Sequence, residues 1–176
     1  MTPAPLLRQW RDDDLPAIVE MNSDPEVMRY LLAPLSQEES VAMLARLRAG
    51  ITERGWGLWA VEVDGELAGY TGLAAPSFTA PFTPCVEIGW RLRRRFWGRG
   101  LATAAARLAE HYAWEQLKLH ELVSFTVPAN ERSRRVMERL GFTRDPGGDF
   151  LHPRVPEGHS LRPHLLYRKK NPLRRE

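Results

Sequence analysis

The sequence predicts one mixed α+β domain whose sheet begins antiparallel. Three observations carry this. Two capped, amphipathic helical stretches precede residue 55, a tight hairpin spans Trp56 to Leu73, and a strand at Val86–Leu92 runs through a basic, glycine-punctuated turn into a helix. An antiparallel hairpin ahead of that turn argues against a doubly wound parallel sheet. The 176 residues suit one domain with a core, which 43% hydrophobic content and six tryptophans also support.

The elements follow in order. Leu6 to Trp10 reads as a first strand. Asp12-Asp13-Asp14 opens a helix, since acidic side chains suit its positive end and Pro16 is tolerated in a first turn. Leu15, Ile18, Val19 and Asn22 would share one face. Asp24-Pro25 repeats the cap-then-proline pattern for a short helix ending near Tyr30. Ser36-Gln37-Glu38-Glu39 is a capping box, and Val41, Leu44, Leu47 and Ile51 would form the buried stripe behind it.

From Trp56 the period becomes two, with Asp64-Gly65 as the turn. Residues 76–84 hold three prolines and read as a loop. In the next strand Val86, Ile88, Trp90 and Leu92 point one way, and Glu87, Gly89 and Arg91 the other. A carboxylate on a strand bound for the core is unusual. Glu87 is either paired with one of the many arginines or a base whose pKa burial raises. A helix follows the turn, with Leu101, Ala105, Leu108 and Tyr112 as its core stripe. Leu122–Val127 is the next strand, and Asn130 caps a helix that Gly141 stops after Leu140. Beyond Phe142 the chain is rich in Pro, Gly and His until a last strand at Leu165–Tyr167, and Arg168 to Arg175 reads as a solvated basic tail.

Composition excludes several classes. Cys85 is the only cysteine, so no intrachain disulfide forms. The opening MTPAPLLRQWRDDD lacks a signal-peptide core, no 18-residue apolar run exists, and the simplest location is the cytoplasm. His111 and His120 have no metal-site company, so no metal is expected. Of 25 basic residues 22 are arginine, and Arg91, Arg93, Arg94, Arg95 and Arg99 crowd around the turn. That cluster suits nucleic acid, a multiply phosphorylated cofactor, or arginine-biased codon usage, and charge does not choose among them. Six tryptophans, if exposed, would point to a homodimer.

The turn Arg95-Phe96-Trp97-Gly98-Arg99-Gly100-Leu101-Ala102-Thr103 is the centre of the functional reading. Two glycines let backbone N–H groups converge, and the following helix adds its unpaired N–H groups and positive end. Such a cradle suits a phosphate or pyrophosphate, although glycines here could also serve the turn alone. The dinucleotide fingerprint fails because Thr103 stands at its third glycine, and no Walker A lysine motif occurs.

Arg95-x-x-Gly98-x-Gly100 resembles the R/Q-x-x-G-x-G/A signature of the GNAT N-acetyltransferases, and Asn130 to Phe142 resembles their N-x-x-S/A…L-G-F segment. The wording RDDDLPAIVEMNSDPEVMRYL and Glu87-Ile88-Gly89-Trp90 is similar to the RimJ/RimL branch, the ribosomal-protein alanine N-acetyltransferases. The resemblance runs from about Leu6 to Arg168 and implies a mostly antiparallel seven-stranded sheet with helices on both faces. It implies acetyl-CoA as cofactor, its pantetheine arm between splayed fourth and fifth strands. Backbone groups of Trp90, Arg91 and Leu92 would meet that arm. Arg95, Gly98, Arg99, Gly100, Leu101, Ala102 and Thr103 would form the pyrophosphate cradle, and Asn130 would reach in from the other side. Glu87 would be the base toward a primary amine acceptor, an α-amine by preference. Where many relatives carry a tyrosine acid this chain has Met137, which cannot donate a proton, so Ser133 is the substitute candidate unless it only caps its helix. Cys85 is a weak candidate nucleophile, since direct transfer needs none. The same residues would also suit a catalytically silent acyl-CoA-binding module.

Overall fold

The computed structural model of the protein describes residues 4–174. Arg175, at the end of the expected basic tail, and the first three residues lie outside this range. Twelve elements follow one another: β1 (Leu6–Arg8), α1 (Leu15–Ser23), α2 (Gln37–Arg54), β2 (Leu58–Val63), β3 (Glu66–Ala74), β4 (Glu87–Leu92), α3 (Leu101–Glu115), β5 (Glu121–Thr126), α4 (Glu131–Leu140), β6 (Thr143–Arg144), β7 (Phe150–Leu151) and β8 (Pro163–Lys170). The sheet runs β1-β2-β3-β4-β5-β8-β6, with β7 also on β8. Every pairing is antiparallel except β4 with β5. Two two-residue strands after Phe142 bring the total to eight rather than seven.

Helices cover both faces. α1 and α2 pack on one side through Ile18, Met21, Leu44 and Ile51 against Ala60, Leu67 and Tyr70. On the other, α3 and α4 lie over Leu73, Ile88, Leu122 and Tyr167. Ser36 accepts from the Glu39 N–H at 3.1 Å while Glu39 Oε2 accepts from the Ser36 N–H at 2.7 Å, so the capping box forms as the sequence suggests. Among the described residues, no helix is long and apolar enough to cross a membrane.

Four expectations change. The Asp24-Pro25 segment makes hydrogen-bonded turns rather than a helix, with Met28 N–H on Asp24 O at 3.0 Å and Leu31 N–H on Met28 O at 2.8 Å. Pro34 then biases Ala33 away from helical backbone. In α2 the buried position is Ser40, not Val41, which is 46% exposed. The reason is polar: the Ser40 hydroxyl accepts from Asn22 Nδ2 at 3.1 Å inside the α1–α2 contact. In α3, Leu108 is 45% exposed, and the buried stripe runs through Leu101, Ala105, Ala109 and Ala113, whose small side chains let the helix lie close to the sheet. Finally, the last strand reaches Lys170 and Asn171 is buried, so much of the expected tail is structural. Lys169 pairs with Glu110 at 2.6 Å and Arg168 with Glu121 and Asp145 at 2.6 and 2.7 Å.

Candidate active site

β4 and β5 touch at one place only. Glu87 stands opposite Val123, the Val123 N–H bonds the Val86 carbonyl at 3.0 Å, and Ser124 Oγ donates to the Ile88 carbonyl at 2.9 Å. After that the strands part. In a ladder, alternate residues turn their N–H and C=O to the same neighbour. Val86 and Ile88 face β5, so Trp90 and Leu92 face the gap, while Arg91 turns its backbone toward β3, where it stands opposite Tyr70. The Leu92 carbonyl already accepts from the Trp97 indole at 2.8 Å. Of the three residues expected to offer backbone groups to the pantetheine arm, Trp90 is the one placed best.

The turn after β4 has the predicted form. Gly98 and Gly100 take φ of 73° and 72°, and a Cβ at either would meet no atom within 4 Å. Their glycine identity serves the left-handed backbone and the open space in front of it, not packing. Gly100 is the N-cap of α3 and no side chain caps that helix. Leu101 is core, Ala102 half-buried, and the buried Thr103 hydroxyl lacks a partner. An uncapped helix end, two left-handed glycines and unfilled space fit an anionic group of pyrophosphate size.

The arginines divide by role. Arg93 is buried, pairs with Glu20 and donates to the Leu67 carbonyl at 2.9 Å, which ties α1 to the sheet. Arg95 pairs with Glu66 of the hairpin and lies over Phe96, so it serves the turn's flank. Arg99 is exposed and also lies near the Phe96 ring. Arg132, which the sequence reading passed over, stacks on Trp97 at 4.4 Å and brings the start of α4 to the turn. Three of the five clustered arginines are engaged by other residues: Arg91 by Asn22, Arg93 by Glu20 and, at the surface, Arg95 by Glu66.

Glu87 is the chemical anomaly. No arginine pairs with it, and among the described residues it has no hydrogen-bond or ion-pair partner. Burial pushes its carboxyl up to about 8. Gly89, next on the same strand face, leaves the carboxylate uncovered: a Cβ there would stand 3.9 Å from Glu87 Oε1. Cys85 is unfit as a nucleophile at neutral pH, since burial and then the nearby Glu87 push its thiol up to about 11. At the start of α4 the Asn130 side chain donates to Ser133 Oγ at 3.1 Å and to Thr126 Oγ1 at 3.0 Å, and accepts from the Ser133 N–H at 3.3 Å. Ser133 is therefore held by the cap with its hydroxyl proton still free to donate. Met137 is 1% exposed within the core, remote in character from any acid role.

A cavity of about 460 Å³ opens on the α1–α2 side, lined by segment 28–35, by Arg91 and by the late loop from His152 to His164. The sequence leads one to expect an acceptor pocket built by the early helices and the late loop, with one of His152, His159 and His164 in its lining, but neither segment carries a periodicity or spacing that names the acceptor. Two of the loop's histidines do reach it. Their rings lie 5.0 Å apart beside Phe78, Phe125 and Phe150.

A sheet split at its middle, a turn after β4 that fits an anionic group of pyrophosphate size, an unpaired carboxyl at Glu87 and a cavity lined by Arg91 of the same strand are the parts that group transfer from a phosphorylated carrier requires. The chain belongs to the GNAT acetyltransferase family, whose acetyltransferase (GNAT) domain model matches residues 6–143 and whose acetyl donor is acetyl-CoA. Over 132 residues, 71% of the chain, it is 33% identical to the FsC-acetyl coenzyme A-N(2)-transacetylase of Aspergillus fumigatus, and the match spans only 56% of that relative. An acetyltransferase of the GNAT family from Bacillus anthracis superposes with a TM-score of 0.79 at 24% identity, covering 97% of both chains. RimJ of Mycobacterium smegmatis in complex with CoA-disulfide does so with a TM-score of 0.74 at 22% identity, covering 94% of this chain and 81% of that one. The last two likenesses concern the fold.

Proposed function

We propose that the protein transfers an acetyl group from acetyl-CoA directly to a primary amine, with an α-amine as the preferred acceptor. The unpaired Glu87 carboxyl carries the reading. Acetyl-CoA, when bound, supplies a thioester carbonyl to which a neutral amine adds, with release of the free thiol. Gly98, Gly100, Leu101, Ala102 and Thr103 hold the pyrophosphate by backbone N–H groups, flanked by Arg95 and Arg99. Trp90 holds the pantetheine amides, and Asn130 orders the start of α4 against them.

The acceptor must lose a proton before it attacks. At pH 7 this costs about 1 kcal/mol for an α-amine and about 4.6 kcal/mol for a lysine side chain. A carboxyl at about 8 has nearly the basicity of an α-amine, so proton transfer between them is close to balanced. Transfer from a lysine to the same group runs uphill by about 3 kcal/mol. Glu87, directly or through water, thus suits an α-amine. Ser133 is the proton donor to the departing thiolate, which needs little help because a thiol is already a fair leaving group. The fungal relative's name, a transacetylase at an N(2) position, supports an amine nitrogen as acceptor.

The test is thiol release from acetyl-CoA across a panel of amines, peptides with N-terminal Ala or Ser included. Saturable, acceptor-dependent release supports transferase activity. Tight acetyl-CoA binding with no release from any amine would leave only an acyl-CoA-binding module.

A further inference from the structure

The charge of the cavity bears on what the acceptor carries besides its amine, an inference that rests on the transferase reading above. The walls are largely apolar, with Met28, Leu31, Leu35 and Met43 among them. Two guanidiniums enter this space, Arg91 from β4 and Arg154 from the late loop. Arg91 Nη1 donates to the neutral Asn22 Oδ1 at 3.1 Å and its guanidinium lies 5.2 Å from the Tyr70 ring centre. Arg154 Nη2 donates to the Ser77 carbonyl at 3.1 Å and also to the Ser77 hydroxyl. No ion pair forms at either arginine among the described residues.

The other charged group on the wall is Glu39, whose Oε2 is committed to the Ser36 N–H in the capping box. His152 and His164 add no charge near pH 7. Burial lowers the pKa of both, and for His152 the neighbouring His164 and Arg154 lower it further. Two permanent positive charges, the half-buried Arg91 and the exposed Arg154, thus stand on a largely apolar wall against the single carboxylate of Glu39, and the net positive charge favours an entering anion. A planar guanidinium fork matches a carboxylate through paired hydrogen bonds. Position agrees with this. Glu87, the bare Gly89 and Arg91 share one face of β4, and at about 3.3 Å per residue Gly89 and Arg91 are about 7 Å apart.

We propose that the acceptor is an α-amine that also carries a carboxylate, either a free amino acid or a short peptide with an apolar side chain. Its amine lies over Gly89 toward Glu87, its carboxylate meets Arg91 with Arg154 nearby, and its side chain packs on Met28, Leu31, Leu35 and Met43. The nitrogen gains the bond to the acetyl carbon as the thioester C–S bond breaks. One amine proton leaves through Glu87 to water and one ends on the thiolate, so the products are an N-acetylated carboxylate and a free thiol. A polyamine, by contrast, would bring positive charge to two arginines.

The experiment compares alanyl-leucine with alanyl-leucinamide, whose α-amines are similarly basic, alongside leucine, leucinamide and spermidine. Thiol release gives kcat/KM for each. At least a tenfold preference for the carboxylate over the amide is expected in the pair, with the dipeptide and amino-acid arms separating the two sources. Arg91→Gln and, as a second variant free of the Asn22 contact, Arg154→Gln should raise KM for the carboxylate severalfold or more and leave the amide's unchanged. Amides or spermidine acetylated as well as the carboxylates would overturn the inference while leaving the transferase reading intact. Absence of thiol release with every amine would remove both.

Discussion

Replacing Glu87 by Gln tests the base in two independent ways, and the first needs no substrate. In the folded protein the carboxyl is raised from its ordinary 4.5 to about 8. An acid raised by folding makes the native state hold its proton longer than the unfolded chain does. Its stabilising contribution is complete below about pH 4.5, declines as pH rises, and levels off above about pH 8. Across pH 6 to 8 the full shift corresponds to a loss of about 2.3 kcal/mol, and partial solvent access reduces this to about 1–2 kcal/mol. Glutamine keeps the shape and cannot titrate. The melting temperature of Glu87→Gln should therefore gain on the wild type by roughly 2–8 °C between pH 6 and 8, read by differential scanning fluorimetry without ligand. In the second arm, kcat/KM of the wild type should rise with pH to an inflection near 8, and the variant should lose that limb and about 10²–10⁴-fold in rate. Since an α-amine titrates in the same range, the difference between the two proteins is the readout. Parallel melting curves across pH would show that the carboxyl is not raised, and a retained basic limb in the variant would remove Glu87 from the chemistry.

Further outcomes follow from the same structure. Gly98→Val with Gly100→Val forces two left-handed positions at about 1–3 kcal/mol each without a steric clash in the protein, so the variant should fold and lose acetyl-CoA affinity in calorimetry. Unchanged affinity would sink the cradle assignment. Ser133→Ala should cut kcat by about tenfold or more if the hydroxyl donates a proton, whereas a purely capping role predicts about 1 kcal/mol of lost stability with kcat intact. Arg93→Met removes the Glu20 pair and the Leu67 carbonyl bond together, and denaturant titration should register a loss of about 1–3 kcal/mol with little change in KM.

The longer strands, the hairpin and the glycine turn were legible in the sequence because each obeys a local rule: alternation, an Asp-Gly pair, glycines where φ is positive; the two-residue strands β6 and β7 were not. The burial of Ser40 rather than Val41 was not, since it depends on Asn22 from another helix. Alanines at 105, 109 and 113 displaced Leu108 from the core because close approach of α3 to the sheet outweighed side-chain size, a tertiary choice no helical wheel records. Glu87 announced itself as an oddity, yet whether an arginine answered it depended on where five arginines pointed. The cavity was legible only as an expected pocket between the early helices and the late loop, not in its residues. It is assembled from turns at 28–35 and a loop at 152–164, far apart in the chain and without periodicity.

The placement of helices on opposite faces of a sheet that opens at its middle makes that sheet a partition between two tasks. Under the proposed function the turn and α3 would answer to the donor from one end of the partition, and the 28–35 turns and the late loop to the acceptor. Changes of acceptor can therefore accumulate on one side without disturbing carrier recognition on the other. Grafting the two acceptor segments from a relative onto this chain should exchange specificity as a unit, with acetyl-CoA affinity carried over from the host.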